Sequence, residues 1–211
     1  MKKTKAYWEQ DFDLSGGGLC LDFANTISNR NIPGRTHDEL TNYPRFVGFA
    51  KQSKLLSPRQ ADLLRGRAGF YTDEERMGVM RAAVILREAI YRLFSALAAG
   101  KPVPSKDVKL INDFAIEASR HRRLMPTTYG GYRWQWKPEE SERLEQLLWP
   151  IALSAADLLT SDEVRAVREC AAGDCAWLFL DESRNHSRRW CDMKVCGNRQ
   201  KARRHYQRAR L

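Results

Sequence analysis

The sequence of 211 residues lacks any long hydrophobic run. No stretch approaches the roughly 18 apolar residues that a membrane-spanning helix needs, so we expect neither an integral membrane protein nor a membrane partner. The first ten residues carry several lysines with no apolar segment behind them, a pattern that argues against a secretory signal. With 43% hydrophobic and 29% charged residues, the composition is typical of a globular protein, and we expect it in the cytoplasm.

The sequence also lacks the motifs of common catalytic sites. It contains no nucleophile elbow, no phosphate-binding lysine loop, no open metal triad and no paired His/Cys arrangement. The four histidines, at positions 37, 121, 186 and 205, show no metal-ligand spacing with one another. The sequence therefore predicts that the protein is not an enzyme.

Residues 1–183 have almost no excess of positive charge, and their net charge is +1. From Arg184 to Leu211 there are ten basic residues and a single acid, Asp192, so this segment holds +9 of the total +10. A nearly neutral body with a basic end indicates a protein that binds a polyanion such as a nucleic acid. A solvated, solubilising tail is the alternative interpretation.

Cysteine is scarce, but four of the five cysteines form two pairs in this same region. Cys170 and Cys175 enclose four residues, Cys191 and Cys196 enclose four more, and 15 residues separate the pairs. Two such knuckles can supply four thiolates to a tetrahedral Zn²⁺, which leaves no position for substrate and makes the site structural. Disulfides, free thiols or an iron–sulfur cluster are the alternatives. We expect the fifth cysteine, Cys20, to be a buried apolar residue.

The hydrophobic pattern predicts a mainly α protein. We assign residues 1–163 to a helical domain for sensing or dimerisation, and residues 164–211 to a treble-clef-like zinc finger with short strands and one helix.

A glycine turn between alternating runs predicts a β-hairpin over Arg122–Trp136. Leu19–Phe23 fits either a short strand or the first turn of a helix. A last body helix should run from Pro138 to about Thr160, with a kink at Pro150. Helix N-caps are expected at Asn42, Ser57, Thr72 and Ser105.

The C-terminal motifs closely resemble those of the CGNR zinc-finger family of bacterial proteins. The name of that family is the tetrapeptide that stands here as Cys196-Gly197-Asn198-Arg199. The upstream segment Gly17–Thr26 is similar to a glycine-rich segment in the helical N-terminal domain of the family. The resemblance implies a stress-related transcription regulator whose finger binds zinc and DNA.

We therefore predict DNA binding by cationic side chains of the finger. Arginine suits this task because its planar group pairs with phosphate or guanine through two hydrogen bonds. The candidates are Arg188, Arg189, Arg199, Lys201, Arg203 and Arg204. Arg189 and Arg199 lie beside ligand cysteines and could instead neutralise the thiolate charge. A stripe of Ala202, Tyr206 and Ala209 is expected to pack on the zinc module.

The helical domain offers a weaker prediction. Asp22, Asn25 and Thr26 are polar residues within or just after an apolar run, and they either line a site for a small-molecule effector or cap a helix. A homodimer is expected because DNA-binding regulators commonly pair. An RNA-binding module and a protein-interaction finger are the alternative functions.

Overall fold

A computed structural model of the chain describes residues 11–137 and 143–208. Within these ranges, helices dominate, and the predicted mainly α class is confirmed. The helices are α1 (Leu19–Ala24), α2 (Tyr43–Gln52), α3 (Pro58–Arg67), α4 (Asp73–Ala98), α5 (Ser105–Arg120), α6 (Leu148–Thr160) and α7 (Asn198–Arg208). Helices α1 to α6 form what we call the helical body. No helix in the described ranges combines the length and apolar character needed to cross a membrane.

Side-chain caps start three of these helices where the sequence predicts them. Asn42 accepts a hydrogen bond from the backbone amide of Arg45, and both Ser57 and Thr72 form reciprocal capping boxes with the residue three positions on. The predicted cap at Ser105 is wrong. Pro104 occupies the N-cap position, so Ser105 already has helical backbone and its hydroxyl makes no capping bond.

The body core surrounds α4, which is 26 residues long. On α4, the fully buried residues Ala83, Leu86, Ile90 and Leu93 recur at helical spacing. Helix α1 packs against α4 and α6, and it is therefore buried on nearly every side. This close packing accounts for the mostly apolar segment Leu19–Phe23, which is a helix here and not a strand.

The last body helix begins later than predicted. Residues 138–142, including the predicted start at Pro138, lie outside the described residues. A 3-10 turn spans Leu144–Leu147, and α6 follows from Leu148 to Thr160. Pro150 thus lies in the first turn of α6, where backbone amides have no helical partner to lose, and the predicted kink is wrong.

Three two-stranded antiparallel sheets complete the described fold: β1 (Ile27–Ser28) with β2 (His37–Asp38), β3 (Arg122–Pro126) with β4 (Tyr132–Trp136), and β5 (Val167–Glu169) with β6 (Leu178–Leu180). The second pair is the predicted hairpin, and we call it the ribbon. Its turn contains Gly130 and Gly131, both with the positive φ that glycine adopts without strain.

Strands β5 and β6 attach the finger (residues 167–208) to the body. Val167, Leu178 and Leu180 are buried in the same apolar cluster as the helices. The backbone amide of Leu180 donates to the carbonyl of Gly16 at 2.9 Å, just before α1. The finger therefore shares its first hairpin with the body core, although a 3-10 turn, Asp162–Ala166, separates the hairpin from α6 in sequence.

Candidate metal centre and basic helix

The four paired cysteines meet at one point beyond the β5–β6 hairpin. The sulfur atoms of Cys170, Cys175, Cys191 and Cys196 all lie within 4.8 Å of one another, and all four residues are buried. The Sγ of Cys191 is 3.6 Å from the Sγ of Cys175 and 3.6 Å from that of Cys196. Four sulfurs at about 2.3 Å from a central ion would lie about 3.8 Å apart in a tetrahedron, so the cluster fits a structural Zn²⁺.

The protonation chemistry of the cluster also calls for a cation. Hydrogen bonds from Cys175 and Cys191 lower the pKa of Cys170, and the same contacts with Cys170 raise the pKa of the other two thiols. Thiols packed this closely cannot all ionise, because neighbouring thiolates repel one another. A divalent ion between them removes that repulsion and allows four thiolates.

Local backbone geometry presents the cysteines. In the first knuckle, the amide of Cys175 donates to the carbonyl of Ala172, and Ala176 turns the chain with a positive φ of 62°. The second knuckle is a π-turn, Met193–Gly197, which Asp192 caps by accepting from the amide of Val195. A β-carbon at Gly197 would meet the sulfur of Met193 and crowd Trp190, so a larger residue here would displace the half-exposed side chain of Met193.

Arg199 connects the metal cluster to the start of α7. Its Nη2 lies 3.3 Å from the Sγ of Cys196 and 3.1 Å from the Oδ1 of Asp174. The other oxygen of Asp174 accepts from Nη2 of Arg203 at 2.7 Å. Asp174 lies in the first knuckle, so one carboxylate binds the first turns of α7 to the opposite side of the metal site.

Arg188 points into the finger. Its Nε donates to the carbonyl of Trp190 at 2.8 Å, and Nη2 donates to the carbonyl of Cys191. The guanidinium lies over the ring of Phe179, with its carbon 4.5 Å from the ring centre. Its Nη1 also donates to the carbonyl of Leu180 at 3.4 Å. These contacts hold the loop before the second knuckle, so this predicted DNA contact already has four partners within the protein.

Three of the four remaining cations of the predicted set are exposed. Arg189 and Lys201 are exposed, and neither makes an ion pair with a described residue. Arg203 is 51% exposed although it pairs with Asp174. The side chain of Arg204 lies outside the described residues.

The predicted apolar stripe of α7 does not pack on the zinc module. Ala202 is exposed, Tyr206 is 69% exposed, and Ala209 lies beyond the described residues. The π-turn and Asp174 hold the beginning of the helix, and the described side chains of residues 201–203 and 205–208 are exposed. The prediction fails because a weak stripe of two alanines and a tyrosine offers little apolar area to bury.

The three polar residues predicted beside α1 make contacts within the protein. Asp22 accepts from the amide of Gly16 at 2.8 Å, and burial raises its pKa to about 6. Thr26 donates to the carbonyl of Phe23 and accepts from Arg87. The fully buried Arg87 also donates two bonds to the carboxylate of Asp38.

Asn25 connects the body to the finger. Its Nδ2 donates to the carbonyl of Leu178 at 2.8 Å, and its Oδ1 accepts from the amide of the same residue at 2.8 Å. Nearby, Nε1 of Trp177 donates to the carbonyl of Ile27 at 2.8 Å. The side chain of Asn25 thus pairs with β6 as a neighbouring strand would.

Sequence reasoning missed Asp174 as the partner of two helix arginines, and it missed Asn25 as the link to β6. The position of Asp174 between Cys170 and Cys175 was a usable signal, because an acid in the metal-binding knuckle can form an ion pair with the nearby basic helix. The partner of Asn25 is 153 residues away in the chain, and no local pattern indicates it.

Two family models match the chain. The model of the ABATE family, described as "Putative stress-induced transcription regulator", matches residues 17–162, more than half of the chain. The model of the CGNR zinc finger matches residues 166–209 and confirms the resemblance inferred from the cysteine motif. No curated protein matches the sequence.

Proposed function

This chain belongs to the ABATE family, and we propose that it regulates transcription by binding duplex DNA through the basic helix of its zinc finger. One observation carries the proposal: α7 extends from the metal site into solvent and contains five Lys or Arg residues without an acid. An α-helix with its side chains is about 10–12 Å wide, which matches the major groove of B-DNA.

The bound zinc would contribute rigidity. Cys170, Cys175, Cys191 and Cys196 would hold the ion, and their two knuckles fix the turn from which α7 starts. Arg199 and Asp174 then fix the direction of the helix relative to that turn. A helix held in one direction loses less conformational freedom when it binds, so more of its contact energy appears as affinity.

We assign different roles to the six cations that the sequence predicts as DNA contacts. Arg189, Lys201, Arg203 and Arg204 would contact phosphates or guanine edges, because they belong to the exposed loop and helix. Arg199 would position α7 through Cys196 and Asp174, and Arg188 would hold the loop through backbone carbonyls. Most direct contacts would go to phosphate, which fixes the register of the protein without reading the bases.

The test is a salt titration of duplex DNA affinity with matched charge variants. The DNA is first selected from a random pool by the zinc-loaded protein. Each phosphate contact contributes a slope of about −0.9 in log affinity against log salt, so Lys201→Gln should reduce the slope by about 0.9. Lys106→Gln is the control, because Lys106 is exposed on α5 and has no described partner.

A wild-type slope shallower than about one unit would mean fewer than two phosphate contacts and would contradict the proposal. Tight binding to single-stranded RNA, with little affinity for duplex DNA, would favour the RNA alternative. No affinity for any nucleic acid at physiological salt would favour a protein partner. Sedimentation of the complex counts the copies bound, and the proposed homodimer predicts two per site.

A further inference from the structure

A cavity of 470 Å³ lies where the body, the ribbon and the finger meet. One wall is the start of α1, with Gly17, Gly18 and Cys20. The base of the ribbon, the side of α6 and Leu180 of β6 form the others. The volume falls within the range of about 300–1,000 Å³ that is typical of small-molecule sites.

The ribbon side of the cavity supplies a cation that forms no ion pair with the residues that the structure describes. Arg122 is half-buried, and its guanidinium lies 4.4 Å above the ring of Trp134. Its Nε is buried and has no hydrogen-bond partner in the structure. Because Arg122 lines the cavity, an anionic group bound there would pair with its guanidinium.

The same side supplies a fixed aromatic surface. Trp136 lines the cavity and packs on Trp149, with ring centres 5.6 Å apart. Trp149 in turn stacks on His121 at 4.0 Å, and His121 contacts Glu117. Trp136 is therefore held in place by packing, and a flat apolar group in the cavity would gain contact with its ring.

The cavity wall also carries negative charge. Asp157 of α6 and Glu163 of the following turn both line the cavity, and both are exposed. These carboxylates would repel a ligand that carried a second anion at its far end.

We propose that this cavity binds a small aromatic monocarboxylate, with its carboxylate on Arg122 and its ring against Trp136. Leu180 belongs to β6, whose backbone also bonds to Gly16, so a bound ligand would touch the hairpin that joins the finger to the body. Its action as an effector rests on the proposed function, whereas the binding itself does not depend on DNA.

The experiment is isothermal titration of the zinc-loaded full chain with three matched probes. These are 2-naphthoate, the neutral 2-naphthamide and naphthalene-2,6-dicarboxylate. A charge-assisted bond to Arg122 should make 2-naphthoate bind at least about tenfold tighter than the amide. The dicarboxylate should bind more weakly than the monocarboxylate, because its second anion faces Asp157 and Glu163.

Two variants and a matched control locate the site. Arg122→Gln should remove the preference for carboxylate over amide, whereas Arg123→Gln should keep it, because Arg123 is exposed on the opposite face of the ribbon. Leu153→Trp fills the cavity from α6 and should abolish binding of all three probes. Circular dichroism of each variant checks that the fold is intact.

Three results would overturn the inference. They are equal affinity for 2-naphthoate and 2-naphthamide, an unchanged carboxylate preference in Arg122→Gln, and no binding of any probe at millimolar concentration. Because DNA is absent from the titration, failure of the DNA-binding proposal would leave this result unaffected.

Discussion

Apolar side chains from six helices fill the core of the body, whereas the inner cluster of the finger consists of four cysteines, Ala172 and Phe179 with two half-buried tryptophans beside them. A cluster that small buries too little apolar surface to hold a fold by itself, so its coordination of a metal must supply most of the stability. The body is stabilised by its buried apolar side chains instead. The comparison teaches that one chain uses two sources of stability and that they meet at β5 and β6.

Removal of zinc should produce the largest difference in stability between the finger and the body. We expect chelation under reducing conditions to remove on the order of 10 kcal/mol of folding free energy from the finger. Amide hydrogen exchange should then accelerate throughout 170–208, while the α4 amides of Val79–Phe94 remain protected. Re-addition of zinc is the control and should restore protection. Simultaneous loss of protection in α4 would break the distinction between the regions.

Asn25→Ala tests the junction between the regions. The substitution removes two buried hydrogen bonds and leaves the amide and carbonyl of Leu178 without these partners. We expect the free energy of unfolding to fall by about 3 kcal/mol, measured by urea denaturation of the zinc-loaded protein. Asn185→Ala, in an exposed loop, should change it by less than about 0.5 kcal/mol. Equal effects of the two variants would show that Asn25 does not join finger to body.

Asp22→Asn gives the smallest predicted change, and the change depends on pH. Burial raises the folded-state pKa of Asp22 to about 6, above its ordinary value, so the folded state binds the proton more tightly than the unfolded chain does. Wild-type stability should therefore decrease as pH rises from about 4 to about 6.

The neutral variant lacks this decrease and keeps an oxygen to accept from Gly16. The difference in unfolding free energy between variant and wild type should grow by about 2 kcal/mol in favour of the variant between pH 4.5 and pH 7. Zinc release at low pH affects both proteins and cancels in this difference. A difference that stays constant with pH would show that Asp22 titrates normally.

Much of the local structure could be predicted from the sequence, because it depends on neighbours in the chain. Asn42, Ser57 and Thr72 cap helices through residues three positions away, and the ribbon follows from two alternating runs around glycines. The four-cysteine cluster was likewise predictable, since two equally spaced pairs have few other uses.

The parts that escaped prediction depend on contacts between distant residues. Charge alone could not distinguish Arg188, whose guanidinium turns toward backbone carbonyls, from Lys201, which remains exposed. Periodicity placed Ala202 and Tyr206 on one face, but it could not show that nothing in the described structure covers that face. The pairing of Asn25 with Leu178 likewise needs the folded chain.

The most direct test of the central claim is the affinity for the selected DNA duplex before and after zinc removal, in reduced protein at one fixed salt concentration. If the metal holds α7 in its binding direction, stripping should weaken specific binding by about 100-fold or more, and reloading with zinc should restore it. Equal affinity of the stripped and loaded proteins would contradict the account, because the basic segment would then bind without the structure that the four cysteines support.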